Sequence, residues 1–252
     1  MNLVDDVEVK LKALGAAVVA GFVLIAAAIV AVGFVGDLRQ PRVDVPDGVP
    51  PGVGAPLPAI DINAPGRTAS QLNQWATQRS ETLAISVTAL EAYAYAAAVM
   101  SETQPDCGIG WTTIAGIASV ESKHGTYQGS TVAPDGQVSP PIRGVPLDGG
   151  PNVAEIRDTD GGVQDGDSVH DRAMGPLQFI PETWKHWGVD ANGDGRVDPD
   201  NIDDAALSAA RYLCARGGDL KTAEGWQAAL LAYNQSGAYM RDVRDRAALY
   251  SL

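Results

Sequence analysis

Between Ala13 and Gly36 the chain carries 24 consecutive residues without a charge, ALGAAVVAGFVLIAAAIVAVGFVG. As a helix rising 1.5 Å per residue, such a run crosses a hydrocarbon core of about 30 Å. The apolar stretch of a cleavable signal peptide is shorter, about 7–15 residues. The run is therefore read as a single membrane anchor, with a cleaved signal and a secreted product as the lesser alternative. Lys10 and Lys12 on one flank are matched by Arg39 and Arg42 on the other, so flanking charge does not set the orientation. Asp37 to Gly66 follows with seven prolines, Pro41, Pro46, Pro50, Pro51, Pro56, Pro58 and Pro65. That density disfavours helix and sheet, and in polyproline geometry the segment is a spacer reaching up to about 90 Å from the bilayer.

Composition constrains the rest. Of 252 residues, 45% are hydrophobic and 19% charged, the balance of a folded domain. The net charge of −13 argues against nucleic acid as a partner. The excess is local, because Asp158 to Asp204 holds 12 acidic and 3 basic residues. It is expected to form a solvated acidic face or a cation site. Two of the three Phe residues, Phe22 and Phe34, lie in the apolar run. The downstream core must then be built from Ala, Leu, Ile and Val, with Trp and Tyr at selected points.

From Thr68 onward the periodicity is helical. Helices are predicted over 70–79, 83–102, 111–124, 181–187, 203–215, 222–232 and 237–250. The third is entered at Thr112 and Thr113 and closed by Gly125. Pro181 suits the first turn of its helix. Thr126 to Arg172 shows no sustained period and holds many Gly, Pro and Asp residues, so it reads as a long functional loop. No alternating run of β type stands out. The expectation is an all-α domain over residues 67–252, preceded by a 1–12 tail, the 13–36 anchor and the 37–66 linker.

Within 111–124, Ile114, Ile117 and Ala118 occupy positions i, i+3 and i+4 of an apolar stripe, and Glu121 lies at i+7 on it. A carboxylate on an apolar face loses hydration, and its pKa rises toward the range a general acid needs. The bland alternative is an end-of-helix Glu turned to solvent or paired with Lys123 or His124.

Three short patterns, Glu121-Ser122, Gly175-Pro-Leu-Gln178-Phe179 and Ala232-Tyr233-Asn234, occur in the order and spacing of bacterial lytic transglycosylases with a lysozyme-like fold. The run Trp184-Lys-His-Trp-Gly-Val-Asp-Ala-Asn-Gly-Asp-Gly-Arg-Val-Asp198 resembles the membrane-bound lytic murein transglycosylase B branch. The resemblance covers roughly residues 83–250 and implies cleavage of the β-1,4 bond between N-acetylmuramic acid and N-acetylglucosamine in peptidoglycan. Carried over, Glu121 protonates the glycosidic oxygen, then accepts the proton of the muramoyl C6 hydroxyl as that oxygen closes on C1. A 1,6-anhydro end results and no water is consumed, so a second carboxylate is unnecessary. The same resemblance makes Gln178, Phe179, Tyr233, Asn234 and Ser122 substrate-binding residues, with Met174 a further piece of apolar wall; a core position for Phe179, a structural hydrogen bond for Asn234 and an orienting role toward Glu121 for Ser122 stay open. Trp184 and Trp187 read as packing residues. The 126–172 loop departs from the family's plainer members.

Asp190-Ala-Asn-Gly-Asp-Gly-Arg196 reads as the first part of an EF-hand loop, with side-chain oxygens on Asp190, Asn192 and Asp194 and the carbonyl of Arg196. Asn201 stands where the closing Glu belongs, and the family resemblance moves that role to Asp204, with Asp203 as a substitute. The expected ion is a structural Ca2+, with no cofactor for catalysis; a metal-free acidic turn is the alternative. Cys107 and Cys214 both lie in the region of the resemblance and are expected to pair, the alternative being two buried thiols. A disulfide places the domain outside the cytoplasm. Anchor, cysteines and a wall substrate then agree on a single-pass cell-membrane protein with an extracytoplasmic catalytic domain. Two further readings stay open. Asp165, Asp167 and Asp171 offer a second carboxylate for a hydrolytic muramidase, and loss of turnover would leave a peptidoglycan-binding module.

Overall fold

The computed structural model describes residues 49–151 and 153–252. The predicted anchor, Ala13 to Gly36, and the first part of the predicted linker lie outside the described residues. Among the described residues no single helix is long and apolar enough to cross a membrane. The domain is mostly helical. A 3-10 turn, Thr68–Leu72, leads into α1 (Asn73–Leu83), followed by α2 (Val87–Thr103) and α3 (Trp111–Ser122). After a long irregular insert come α4 (Pro181–Trp187), α5 (Ile202–Gly217), α6 (Ala223–Tyr233) and α7 (Gly237–Tyr250). The insert holds one small antiparallel ribbon, β1 (Thr131–Val132) and β2 (Val138–Ser139), in register Thr131 with Ser139.

Local chemistry sets most of these ends. The side chains of Ser86, Asn201, Thr222 and Ser236 accept the N–H groups of Ala89, Asp203, Gly225 and Tyr239, capping α2, α5, α6 and α7. The predicted helices at 70–79 and 83–102 are shifted. Ala84 takes a left-handed φ of 53° and ends α1, and Ser86 restarts the chain as α2. The third helix also differs at both ends. Gly110 precedes it without a side-chain cap, and Lys123 and His124, both left-handed, close it before Gly125. Thr112 and Thr113 are used elsewhere: Thr112 Oγ1 donates to Gly52 O at 2.7 Å, and Thr113 Oγ1 accepts Trp226 Nε1 at 3.1 Å.

The core is rich in alanine, which lets helices approach closely. α3 packs on α7, α2 on α5, and α5 on α6. α3 and α7 approach closely at Gly116, where a Cβ would stand 2.8 Å from Val243 O. A disulfide joins Cys107 ahead of α3 to Cys214 in α5, with Cα atoms 5.4 Å apart.

The second part of the Pro-rich segment lies against this body. Trp111 Nε1 donates to Ala55 O at 3.2 Å, Trp75 Nε1 to Pro56 O at 3.1 Å, and Tyr95 OH to Ile62 O at 3.4 Å. Arg67 then latches the strap. It donates to Asp203 through Nε at 2.7 Å and is paired with Glu91, and both carboxylates are buried. Asn73 completes the site by donating to Glu91 at 2.8 Å.

The acidic segment is used locally. Asp158 accepts the N–H groups of Asp160, Gly161 and Gly162, Asp160 those of Val163 and Gln164, and Asp167 those of Val169 and His170. Side-chain caps of this kind let a sheet-poor loop satisfy its backbone. The insert also folds onto the rest. Leu147 buries with Ala173 and Ile180, and Arg143 forms an ion pair with Asp200 at 2.6 Å.

Candidate active site

Glu121 sits in the last turn of α3 and is buried, as its place on the apolar stripe predicts. Burial pushes its carboxyl from the ordinary 4.5 up to about 8, and the hydrogen bond from Tyr239 opposes that rise. Tyr239 OH donates to Glu121 Oε1 at 2.7 Å. At neutral pH the side chain therefore holds its proton in a dry setting.

Tyr239 was not among the residues singled out from the sequence. It enters because α7 runs back along α3, with Val243 and Ala247 against Gly116. Its signal was present: Tyr239, Val243 and Ala247 recur at four-residue spacing as the buried stripe of α7.

Tyr233, at the end of α6, stacks on Tyr239 with ring centroids 6.5 Å apart and planes 4° from parallel. Its hydroxyl donates to Leu177 O at 2.6 Å, so it holds the Gly175–Gln178 turn. Desolvation, then the nearby Glu121 carboxylate, raises the pKa of Tyr233 well above the phenol range. Phe179 packs edge-on against Tyr233 and Trp184 and is buried with Met174. Trp187 packs edge-on against Tyr212.

The Gly175–Gln178 turn is locally strained. Gly175 has φ 69°, and a Cβ there would fall 1.8 Å from Pro199 O, so only glycine fits. Gln178 adopts φ 52°, unusual for a residue with a side chain. Its Nε2 donates to Gly175 O at 2.8 Å. Its Oε1 is the one buried side-chain polar atom without a hydrogen-bond partner among the described residues. An unmet acceptor of this kind costs about 1–3 kcal/mol, and a functional role is the usual reason to keep one.

Ser122 lies at the junction of α3 and the Gly175–Gln178 turn. It is buried, donates to Pro176 O at 2.6 Å and accepts Gly125 N at 2.8 Å. It thus ties the end of α3 to the Gly175–Gln178 turn. Asn234 is also buried, with Oδ1 accepting Ser236 N at 3.0 Å in the α6–α7 connection. Just beyond Glu121, His124 lies between two hydroxyls, Tyr93 OH at 3.2 Å and Tyr250 OH at 3.0 Å. Burial first, then Arg246, lowers its pKa to about 3, so it stays neutral.

The remaining acids are occupied. Asp171 accepts Thr159 N and Oγ1, Asp165 accepts Arg172 N at 2.6 Å, and Asp167 pairs with Arg172 at 2.9 Å. In the 190–204 loop, Asp190 accepts Gly193, Asp194 and Gly195 N–H groups, and Asp194 accepts Arg196 N and Asn192 Nδ2. Buried Asp204 accepts Ala191, Asn192 and Asp198 N–H groups. Among the described residues no three His, Cys, Asp or Glu side chains stand together as a metal cage.

The arrangement can deliver one proton from a desolvated carboxyl and take it back, beside the stacked rings of Tyr239 and Tyr233. No curated protein and no solved structure matches the chain. A family match is found, and it begins after Glu121 in the sequence. Residues 170–248, which carry the Gly175–Gln178 turn, Tyr233 and Tyr239, match the family model described as the transglycosylase SLT domain, which supports placing the chain with lytic transglycosylases of the SLT, lysozyme-like superfamily.

Proposed function

We propose that the protein is a membrane-anchored lytic transglycosylase that cuts the β-1,4 bond between N-acetylmuramic acid and N-acetylglucosamine and leaves 1,6-anhydro ends. The single observation that carries this reading is the buried Glu121, held up to about 8 with Tyr239 on its Oε1. A carboxyl that keeps its proton at neutral pH is a competent general acid for the glycosidic oxygen. Once it has given that proton up, the same burial makes its carboxylate a stronger base than an exposed Glu. It can then take the proton of the muramoyl C6 hydroxyl as that oxygen bonds to C1. The proton lost in the first half is regained in the second, and the glycosidic bond is replaced by the C1–O6 bond. Gln178 Oε1 would receive a sugar N–H or hydroxyl, and Tyr233 and Phe179 would supply apolar wall.

Calcium in the 190–204 loop forms part of the same reading. The donors are all oxygen, as Ca2+ prefers, and burial pushes Asp204 up to about 6 with only backbone N–H partners around it. Asp190, Asn192, Asp194 and the Arg196 carbonyl would complete the site by giving up some of their present contacts. The ion would stiffen the loop, and no chemical step is routed through it.

The test is mass spectrometry of products after the protein acts on purified peptidoglycan, beside Glu121→Gln. Anhydro-muropeptides from the wild type alone are expected. Hydrated, reducing ends would refute the transglycosylase reading, and no product from either would leave a binding module.

A further inference from the structure

The two helices that carry the reacting groups also carry the contacts at which the described chain begins, at their other ends. α3 bears Glu121 in its last turn and, in its first, Trp111 and Thr112, which hold Ala55 O and Gly52 O. α7 is antiparallel to it. Tyr239 meets Glu121, Val243 and Ala247 meet Gly116, and Ser251 lies against Gly52, where a Cβ would stand 3.1 Å away. The strap therefore joins the domain about 14 Å, nine residues of helix, from the catalytic carboxyl.

The strap is bound along its length. Gln71 Nε2 donates to Asp61 O at 2.9 Å, Tyr95 holds Ile62 O, and Arg67 sits between buried Glu91 and Asp203. The tether left between Gly36 and Val49 is then 12 residues, 37–48, in place of the 30 that composition alone assigns to the spacer. Twelve residues span at most about 43 Å even fully extended.

We propose that the strap makes the chain enter the domain at the end of α3 opposite the catalytic carboxyl, which biases the catalytic end away from the bilayer and confines it to glycan strands within about 60 Å of the membrane. This rests on the anchored transglycosylase reading above. The orientation follows from where the strap binds, and the reach follows from the covalent length of the tether plus the length of α3. The substrate is thereby narrowed from peptidoglycan at large to its membrane-proximal layer.

The full chain is placed in phosphatidylethanolamine–phosphatidylglycerol vesicles bearing an acceptor dye on their headgroups. A donor dye is attached at Leu252→Cys, at the strap end, or at Ala238→Cys, exposed at the catalytic end. Higher energy transfer from 252 than from 238 is expected. Equal or reversed transfer overturns the orientation, and failure of the chain to bind vesicles overturns the anchor and the proposal together. In a second arm, 24 Gly and Ser residues are inserted after Pro46. The longer tether should raise release of fragments from insoluble wall by the vesicle-bound enzyme, while cleavage of soluble glycan oligomers stays the same. Insoluble-wall turnover indifferent to tether length, with soluble oligomers still cut, overturns the reach. Loss of cleavage on both substrates refutes the enzymatic reading, and with it the confinement of a cleavage activity, whereas the transfer measurement still reports the orientation.

Discussion

Replacing Glu121 by Gln isolates the cost of its burial, because the amide keeps the shape of the protonated acid and does not titrate. In the unfolded chain Glu121 ionises near 4.5, whereas in the native state it holds its proton to about 8. Between those values the native state binds more protons, so the stability of the wild type falls as pH rises, by about 1.4 kcal/mol per unit. From pH 5 to pH 8 the variant should gain about 4 kcal/mol relative to wild type. For a domain of this size that corresponds to a Tm gap widening by on the order of 10 °C. The assay is thermal or urea unfolding of residues 49–252 at pH 5, 6, 7 and 8, with the disulfide intact. Tyr239 OH can still donate to the amide oxygen, so the hydrogen bond is not lost with the charge. A stability gap that stays constant across the range would mean an ionised Glu121, and the general-acid reasoning would fail with it.

Tyr239→Phe should push the alkaline limb of kcat/KM upward, because the hydroxyl favours the charged form of Glu121, and should lower kcat by about 10- to 100-fold, the worth of a hydrogen bond to a charged group. A pH–rate profile reads both effects, and an unchanged limb would separate Tyr239 from the acid. Substituting both Cys107 and Cys214 by Ser opens a loop of sequence separation 107 and should cost about 4–5 kcal/mol in the chain-entropy model, measured by urea denaturation. Deleting residues 1–66 in place of 1–48 removes the acceptors of Trp75, Trp111 and Thr112, so the shorter fragment should unfold at clearly lower urea; equal midpoints would make the strap dispensable. Calcium should raise the Tm of the wild type over a chelator control, and Asp190→Ala with Asp194→Ala should abolish that rise.

Helix positions were largely legible because they rest on local chemistry: periodic apolar residues and caps such as Ser86 and Thr222 act within a turn of the chain. The errors came where distant groups decide. Thr112 looked like a cap, yet its hydroxyl is drawn to Gly52 O, 60 residues away. Over its described residues the Pro-rich segment has no helix or strand before the turn at Thr68, but it lies against the domain. Backbone outside helix or sheet leaves carbonyls unmet, and three of them find the indoles of Trp75 and Trp111 and the hydroxyl of Thr112. Nothing in the composition of 49–66 names those donors. The acidic excess was equally opaque: residues that count as charge in a composition serve here as acceptors for turn N–H groups.

Glu121 itself was legible from its stripe, and the chemistry it can do follows from how little else is free to help it. Asp165, Asp167 and Asp171 each close part of the insert through backbone or Arg172 contacts. Each is thereby committed to holding the insert together. In the proposed transglycosylase reaction a single carboxyl acts twice, which requires an acid weak enough to keep its proton and a conjugate base strong enough to recover one. Desolvation supplies both at once, since it destabilises the same anion in each step. Tyr239 tempers that effect with one hydrogen bond, leaving the anion accessible during turnover. A second carboxylate nearby would undo this balance, because its charge would raise Glu121 further and block the release of the proton on which cleavage depends.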